Sequence, residues 1–204
     1  MQAHPSILVN GLLSPVKLWS RGELRTRGSV PPSAGAYAWY VCPESLPLAI
    51  ETHHCFKKDG FILAYSGETG PTSFGLRRRL RAHHSRDAGH SNFRLSLGTV
   101  LRDALQIRLL PCDSAEFVKG GEDKLSSWID AHARVAWVTT PDKETAEYVQ
   151  DEIIRIHRPV LNLRERNHAS ATWLSDRVCE QRAALACRRS DLRWSHILSD
   201  LRLP

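Results

Sequence analysis

Short apolar runs alternate with longer amphipathic stretches along the chain, and this pattern predicts a mixed α/β (α+β) protein. Two runs, at residues 35–42 and 61–66, are rich in aromatic and β-branched residues, and they end at Pro43 and Gly67. A third, shorter run covers residues 135–138. We therefore predict a small, mostly antiparallel sheet of three strands that is flanked by helices.

The amphipathic stretches between and after these runs predict the helices. They are expected at residues 72–84, 92–107, 122–132, 141–157 and 171–188. Prolines at positions 5, 15, 31 and 32 predict an N-terminal arm over residues 1–32, with one short helix at 20–26. Residues 43–60 predict a helix or loop excursion, and residues 107–110 a further strand. The domain is placed at 33–165, followed by a helical, basic C-terminal extension at 166–204.

The helix predicted at 72–84, which Thr72 or Ser73 could cap, combines a narrow apolar face with dense positive charge. At 100° per residue Leu80 and His83 share one face and Arg79 lies on its border. Arg79 and His83 are also four residues apart, so their polar groups can reach the same place. Together with Tyr65 at a strand end, they indicate phosphate chemistry. The other basic residues of this helix turn away from the apolar face and are candidate nucleic-acid contacts: Arg77, Arg78, Arg81 and His84.

Composition and charge indicate the class of partner and the cellular compartment of the protein. The 204 residues carry a net charge of +6 and a pI near 9.3, which favours an anionic partner. Neither an 18-residue apolar run nor a signal-peptide pattern is present, so we expect no membrane span. The five cysteines are an odd number at irregular spacing, which is typical of free thiols in a reducing compartment. We therefore expect a cytoplasmic protein.

Four ordered motifs give the chain a family resemblance. They are Gly35-Ala-Tyr37, Tyr65-Ser-Gly67, an arginine and a histidine four residues apart (Arg79 and His83), and Arg158-Pro-Val-Leu-Asn162. In this order and spacing they resemble the GIY-YIG nuclease superfamily. Residues 91–98 and 125–137 look like segments of its stand-alone bacterial members. The resemblance covers roughly residues 33–178.

This resemblance implies a DNA endonuclease that depends on one divalent ion per site, Mg²⁺ or Mn²⁺. It implies that Tyr37 handles the proton of the attacking water, which a phenol with a pKa of about 10 does only if a neighbour such as His83 takes its proton. Tyr65 would orient the phosphate or water, and Arg79 would pair with the scissile phosphate through its planar fork. Asn162 would fix the site by hydrogen bonding.

The expected partner is DNA, with the double-stranded form favoured, and cutting both strands would be compatible with a homodimer. No organic cofactor is expected. The biological setting, including bacterial defence or restriction, is left open by the sequence.

One position departs from the family pattern. The family usually carries a metal-binding glutamate about twelve residues before its asparagine, and counting back from Asn162 gives Gln150. A neutral amide is a poor ligand for a hard cation. Three explanations stay open: an introduced Glu-to-Gln change that inactivates the enzyme, a shift of the ligand to Glu147 one turn earlier, or a relative that has lost activity. The rival functions are a nucleic-acid-binding module without catalysis and a protein-interaction domain.

Overall fold

The central strand of the protein, β1 (Gly35–Val41), is buried along its whole length and pairs with a strand on each side. The computed structural model describes residues 4–24, 28–71, 75–85, 88–108, 117 and 120–162. The other strands are β2 (Lys57–Lys58), β3 (Phe61–Thr69) and β4 (Ala133–Thr139). They form a curled antiparallel sheet in the order β2-β3-β1-β4, which confirms the predicted fold class.

Seven α-helices surround the sheet in the described part of the chain. They are α1 (Pro5–Leu13), α2 (Arg21–Leu24), α3 (Gly75–His84), α4 (Asn92–Val100), α5 (Arg102–Leu105), α6 (Gly121–His132) and α7 (Lys143–His157). Helices α4 and α7 start at side-chain caps that satisfy free amide groups. Ser91 accepts from the Arg94 amide at α4, and Asp142 accepts from the Thr145 amide at α7. Single 3₁₀ turns lie at Pro43–Ser45 and Ala88–His90.

The two faces of the sheet bury separate apolar cores, because alternate residues of a strand point to opposite sides. On one face Tyr37 and Trp39 pack with residues of α3, α4 and α6, and the Trp39 ring stacks on Phe93 at 4.4 Å. On the other face, residues of α1 and α7 cover the sheet. There the Tyr40 hydroxyl donates to the Leu12 carbonyl at 2.6 Å, which ties α1 to β1.

Loop segments cover the strand edges that would otherwise expose backbone groups. Trp19 and Val135 exchange two backbone hydrogen bonds of 2.9 Å, so the segment before α2 protects β4. At the opposite side β2 covers only the start of β3, and the Leu161 amide donates to the Ala64 carbonyl farther along. Covered edges cannot pair with another chain.

The sheet contains a fourth strand that the apolar pattern did not predict. Residues 43–60 were expected to form only a helix or loop excursion, but β2 and β3 are joined by the Asp59-Gly60 turn, with φ of 50° and 82°. Asp-Gly with two positive φ values is the sequence signal of a tight hairpin. The signal was in the sequence, but a two-residue strand has too little apolar pattern to support it.

Two other expectations fail for local reasons. The N-terminal arm contains α1, which begins with Pro5 at its first position, where a missing amide costs nothing. The single helix expected at 92–107 is broken at Leu101 into α4 and α5, and it ends at Gln106 with a φ of 51°. Ile107 and Arg108 are not in a strand. Three further predictions lie outside the described residues: the remainder of that strand, the helix at 171–188 and the caps at positions 72 and 73.

Helices at 20–26, 72–84, 122–132 and 141–157 are confirmed within the described residues, as α2, α3, α6 and α7. None of the helices in the described ranges is long and apolar enough to cross a membrane.

Candidate active site

The hydroxyl group of Tyr37 joins the sheet to α3. Tyr37 lies on β1 and is completely buried. Its oxygen accepts a hydrogen bond from Arg79 Nε at 3.0 Å and lies 2.7 Å from His83 Nε2. The spacing of four residues brings Arg79 and His83 to one side of α3, so both reach the same oxygen. The structure therefore brings together three of the residues that the sequence singled out.

The hydrogen bonds around His83 are all satisfied by one arrangement of protons. The Tyr37 oxygen accepts from Arg79, and we assign its own proton to the hydrogen bond with His83 Nε2. His83 Nδ1 then carries a proton, which it donates to Ser91 Oγ at 2.7 Å. Ser91 also accepts from the Arg94 amide at the start of α4. Ser91 thus has two roles, as a helix cap and as the group that fixes the histidine tautomer.

Burial keeps both groups of this pair neutral. Desolvation raises the pKa of Tyr37 well above its usual value, and the nearby Arg79 guanidinium only partly opposes this effect. Desolvation, followed by the positive charge of Arg79, lowers the pKa of His83 well below 6.5. A neutral imidazole with an acceptor nitrogen therefore faces a protonated phenol at neutral pH. Both shifts oppose transfer of the phenol proton to His83 while the cleft is empty, although the short hydrogen bond gives the proton a path.

Gly67 makes room for the Tyr37 ring. The two residues are directly opposite one another in the β1–β3 pairing. A Cβ atom on Gly67 would lie 2.3 Å from the Tyr37 hydroxyl oxygen and 2.4 Å from the ring carbon that bears it. Tyr65, two residues earlier on β3, lies on the same side with its ring centroid 6.5 Å from that of Tyr37. The glycine of the second motif is thus required by the tyrosine of the first.

Asn162 clamps the backbone of β3 between these two residues. Its Oδ1 accepts from the Ser66 amide at 2.7 Å, and its Nδ2 donates to the Ser66 carbonyl at 2.8 Å. Side-chain amides match a peptide group in this way because they carry both a donor and an acceptor. Asn162 is buried, and these contacts are to the strand that carries Tyr65.

A buried ion pair holds the end of α3 that carries His83. Arg94 is completely buried and binds the Glu122 carboxylate through Nε and Nη2, while Nη1 donates to the His83 carbonyl at 3.3 Å. The second oxygen of Glu122 accepts from the Ala88 amide at 2.8 Å. Breaking a buried pair of this kind typically costs about 3–5 kcal/mol. The pair therefore fixes α3, α4 and α6 relative to one another.

A cleft of about 720 Å³ runs along α3 from the end of β3 to the 3₁₀ turn after the helix. Its charged and polar lining includes residues of β3, α3, that turn and the start of α7: Glu68, Arg78, Arg79, Arg81, His90 and Lys143. Four of these six side chains are cationic at neutral pH, so the cleft attracts anions such as phosphates.

The remaining basic candidates of α3 lie elsewhere. Arg77 Nε donates to the Val30 carbonyl at 2.8 Å, which ties this arginine to the segment before β1. His84 lines a separate cavity of about 220 Å³, and its ring packs edge-on against Trp39. Arg78 and Arg81, which turn away from the apolar face of the helix, both line the cleft.

On the α7 side, the two positions considered for a metal ligand differ in their surroundings. Gln150 is partly buried. Glu147 is 48% exposed, and its Oε1 forms an ion pair of 2.8 Å with Lys143. No group of three or more His, Cys, Asp or Glu side chains in the described ranges is arranged to hold a metal ion.

A carboxylate that the sequence did not single out lines the same cleft as Arg79. Glu68 follows Gly67 on β3 and lines the cleft, and its Oε2 is buried without a hydrogen-bond partner among the described residues. Burial raises the pKa of Glu68, and the charges of Lys143 and Arg79 oppose the rise. Mg²⁺ binds proteins through only one or two carboxylates and several waters, so a site with one such oxygen fits a divalent ion.

Sequence reasoning thus missed Ser91, Glu68 and Lys143. Ser91 had a local signal, since serine before an amphipathic stretch is a helix cap. For Glu68 the signal was an acidic residue directly after the second motif, in a strand that is otherwise apolar. Lys143 had no signal, because its place in the cleft depends on how α7 packs on the sheet.

Replacing Gly67 with alanine should destabilise the protein, because the new Cβ would overlap the Tyr37 ring. We expect a loss of about 3 kcal/mol in the free energy of unfolding, measured by urea denaturation. Gly22→Ala is the matched control, since no atom lies within 4 Å of a Cβ at that position of α2. If Gly67→Ala is as stable as Gly22→Ala, the packing of Tyr37 against β3 described above is wrong.

Stability should fall as the pH drops below about 6.5, because the folded state disfavours protonated His83. Its contribution is complete above the pKa of the unfolded state and is lost as pH falls toward the lower pKa of the folded state. Between pH 7 and pH 5 we expect a loss of about 2 kcal/mol in wild-type protein that is missing from His83→Gln. His53→Gln, at an exposed position, should retain the wild-type dependence. Equal pH dependence in His83→Gln and wild type would contradict a buried neutral His83.

Comparison with known proteins identifies the family of the chain. The family model described as the GIY-YIG catalytic domain matches residues 35–184, which include both tyrosine motifs, α3 and Asn162. No curated protein and no solved structure matches the chain. Because the family match covers well over half of the chain, the protein belongs to the GIY-YIG family, whose catalytic domain is that of nucleases.

Proposed function

We propose that the protein is a DNA endonuclease that hydrolyses phosphodiester bonds in the α3 cleft with the help of a divalent cation. The observation that carries this proposal is the Tyr37 hydroxyl, which is bonded to both Arg79 and His83 beside a cationic cleft. Hydrolysis needs a group that takes a proton from water and a group that stabilises negative charge on the phosphate. This arrangement supplies one of each.

Arg79 is the residue that we assign to the scissile phosphate. Its Nε is held by Tyr37 and its Nη1 by the His90 carbonyl at 3.4 Å, so the guanidinium is oriented before a substrate binds. A pre-oriented guanidinium lining the cleft can pair with phosphate oxygens without first losing side-chain freedom. Arg78, Arg81 and Lys143 line the same cleft and are assigned to phosphates of the DNA backbone.

Tyr37 and His83 form the proposed path for the proton. As water attacks phosphorus, its proton passes to the Tyr37 oxygen while the phenol proton passes to His83 Nε2. Buried imidazolium is costly, as the lowered pKa of His83 indicates. The negative charge of a phosphate bound at Arg79 would lower this cost, so proton transfer is less unfavourable when DNA fills the cleft. Ser91 keeps Nε2 as the accepting nitrogen.

The other two residues of the motif set are assigned to positioning. Tyr65 lies against Tyr37 on the same face of the sheet and is only 7% exposed. We assign it to orienting the phosphate or the water. Asn162 holds Ser66, the residue between Tyr65 and Gly67, and so fixes the strand from which both project.

A divalent cation, when bound, would polarise a phosphoryl oxygen and stabilise the leaving oxygen. The candidates for its ligand are Glu68, which lines the cleft, and two residues of α7, Glu147 and Gln150, the second of which stands at the usual family position. Glu68 and Glu147 offer charged carboxylate oxygens, whereas Gln150 offers only a neutral amide. We therefore propose that glutamine at position 150 does not by itself abolish activity.

Arg79→Ala should abolish nicking of supercoiled plasmid in Mn²⁺, with a loss of at least about 10³-fold in rate, because it removes the charge opposite the developing phosphate charge. Arg155→Ala, at a position exposed on α7 and paired with Glu152, is the matched control and should cut like wild type. Gel electrophoresis of the plasmid over pH 6–9 measures both, and Gln150→Glu is tested beside them.

If neither wild type nor Gln150→Glu nicks DNA at any pH in this range, the enzyme proposal is wrong. Salt-dependent DNA binding that is unchanged by EDTA and by Arg79→Ala would then point to a nucleic-acid-binding module without catalysis. Absence of DNA binding at low salt would point to a protein-interaction domain.

A further inference from the structure

We propose that Glu68, at the end of β3, supplies the carboxylate ligand for the divalent cation in this chain. The inference rests on the proposed function, in which the cleft holds such a cation. It places the ligand on the strand of the second tyrosine motif, whereas the family pattern places it on α7, where this chain has Gln150.

Position is the first reason. Glu68 directly follows Gly67 on β3, and its side chain leaves the strand on the α7 side of the sheet, because its partner Ala36 lies in the core under α7. It lines the same cleft as Arg79, and each of these two charges affects the ionisation of the other. A cation bound by Glu68 would therefore share the cleft with the phosphate that Arg79 is assigned to hold.

The unsatisfied oxygen of Glu68 is the second reason. Oε2 is buried and has no hydrogen-bond partner among the described residues. A buried carboxylate oxygen without a partner is costly, and native proteins rarely keep one without a role. A divalent cation with its bound waters would supply the missing partner, because oxygen anions are the ligands that Mg²⁺ and Mn²⁺ prefer.

The alternatives on α7 fit less well. Gln150 offers only a neutral amide. Glu147 is half exposed and already paired with the Lys143 ammonium at 2.8 Å, so binding a cation would first require breaking that pair. Glu147 and Asp151 nevertheless contribute negative charge that acts on Glu68. Their charges would offset the positive charges of Lys143 and Arg79, which also act on Glu68, without direct contact with the cation.

Direct Mn²⁺ binding tests this assignment without depending on DNA cleavage. Free Mn²⁺ is measured by electron paramagnetic resonance during titration of the full chain, without DNA, for wild type, Glu68→Gln and Glu147→Gln. We expect saturable binding of one ion by wild type and a loss of about tenfold to hundredfold in affinity for Glu68→Gln. Glu147→Gln should change the affinity by about threefold or less, as an exposed paired charge. Melting temperatures verify that both variants fold.

Replacement of Glu68 by cysteine distinguishes a ligand from a distant charge. A thiolate at a ligand position favours soft metals, so Glu68→Cys should lose Mn²⁺ affinity and gain one Cd²⁺ ion per chain, seen as added sulfur-to-cadmium ultraviolet absorbance. Glu147→Cys should bind no more Cd²⁺ than wild type, whose own five cysteines set the baseline.

Three results would overturn the assignment: no saturable Mn²⁺ binding by wild type at millimolar concentration, unchanged affinity in Glu68→Gln, or a larger loss in Glu147→Gln than in Glu68→Gln. Because binding is measured without DNA, its outcome is separate from that of the nicking assay. If Glu68→Gln loses Mn²⁺ affinity but wild type never cuts DNA, the metal site is supported and the nuclease function is wrong. If wild type cuts DNA but Glu68→Gln binds Mn²⁺ as wild type does, the nuclease function is supported and the Glu68 metal site is wrong.

Discussion

The Tyr37 hydroxyl is the point at which the sheet, the cationic helix and the candidate chemistry meet. It accepts from Arg79 and donates to His83, so one oxygen orients the residue assigned to the phosphate and the residue assigned to the proton. Because the Tyr37 side chain is buried, these bonds form in surroundings of low dielectric constant, where they are stronger than at the surface. Each would be worth only about 1 kcal/mol at the surface, but burial makes any rearrangement of the three groups costly.

The surrounding structure serves mainly to keep that oxygen in place. Gly67 leaves the space that the phenol ring occupies, and Asn162 fixes the peptide before it through two hydrogen bonds. On the helix side, Arg94 and Glu122 hold the backbone of α3 at the residue that carries the imidazole. Packing and buried charge thus position the site from both directions, and its polar groups are oriented before substrate arrives. Such preorganisation is the usual source of electrostatic catalysis.

The sequence predicted the long, strongly patterned features of this protein and missed those that depend on packing. The aromatic strands around Tyr37 and Tyr65 and the cationic α3 followed from periodicity, and the spacing of Arg79 and His83 placed both on one side of the helix. Strand β2 was not predicted because two residues are too few to show a hydrophobic period, although its Asp-Gly turn was visible in the sequence. The contact of Ser91 with His83 spans a helix junction, and the unsatisfied oxygen of Glu68 arises from the fold as a whole. The hydrophobic periodicity of the sequence predicts neither this contact nor this unsatisfied oxygen.

Removal of one atom tests the account most directly. Tyr37→Phe keeps the ring that packs on Gly67 but deletes the oxygen shared by Arg79 and His83. We expect a folded protein whose single-turnover rate of DNA nicking in saturating Mn²⁺ is at least about 10²-fold below that of wild type, as for loss of a general base. Tyr40→Phe, which loses only a buried hydroxyl on the opposite face, should nick at the wild-type rate. Wild-type nicking by a folded Tyr37→Phe would contradict the central role given to this hydroxyl.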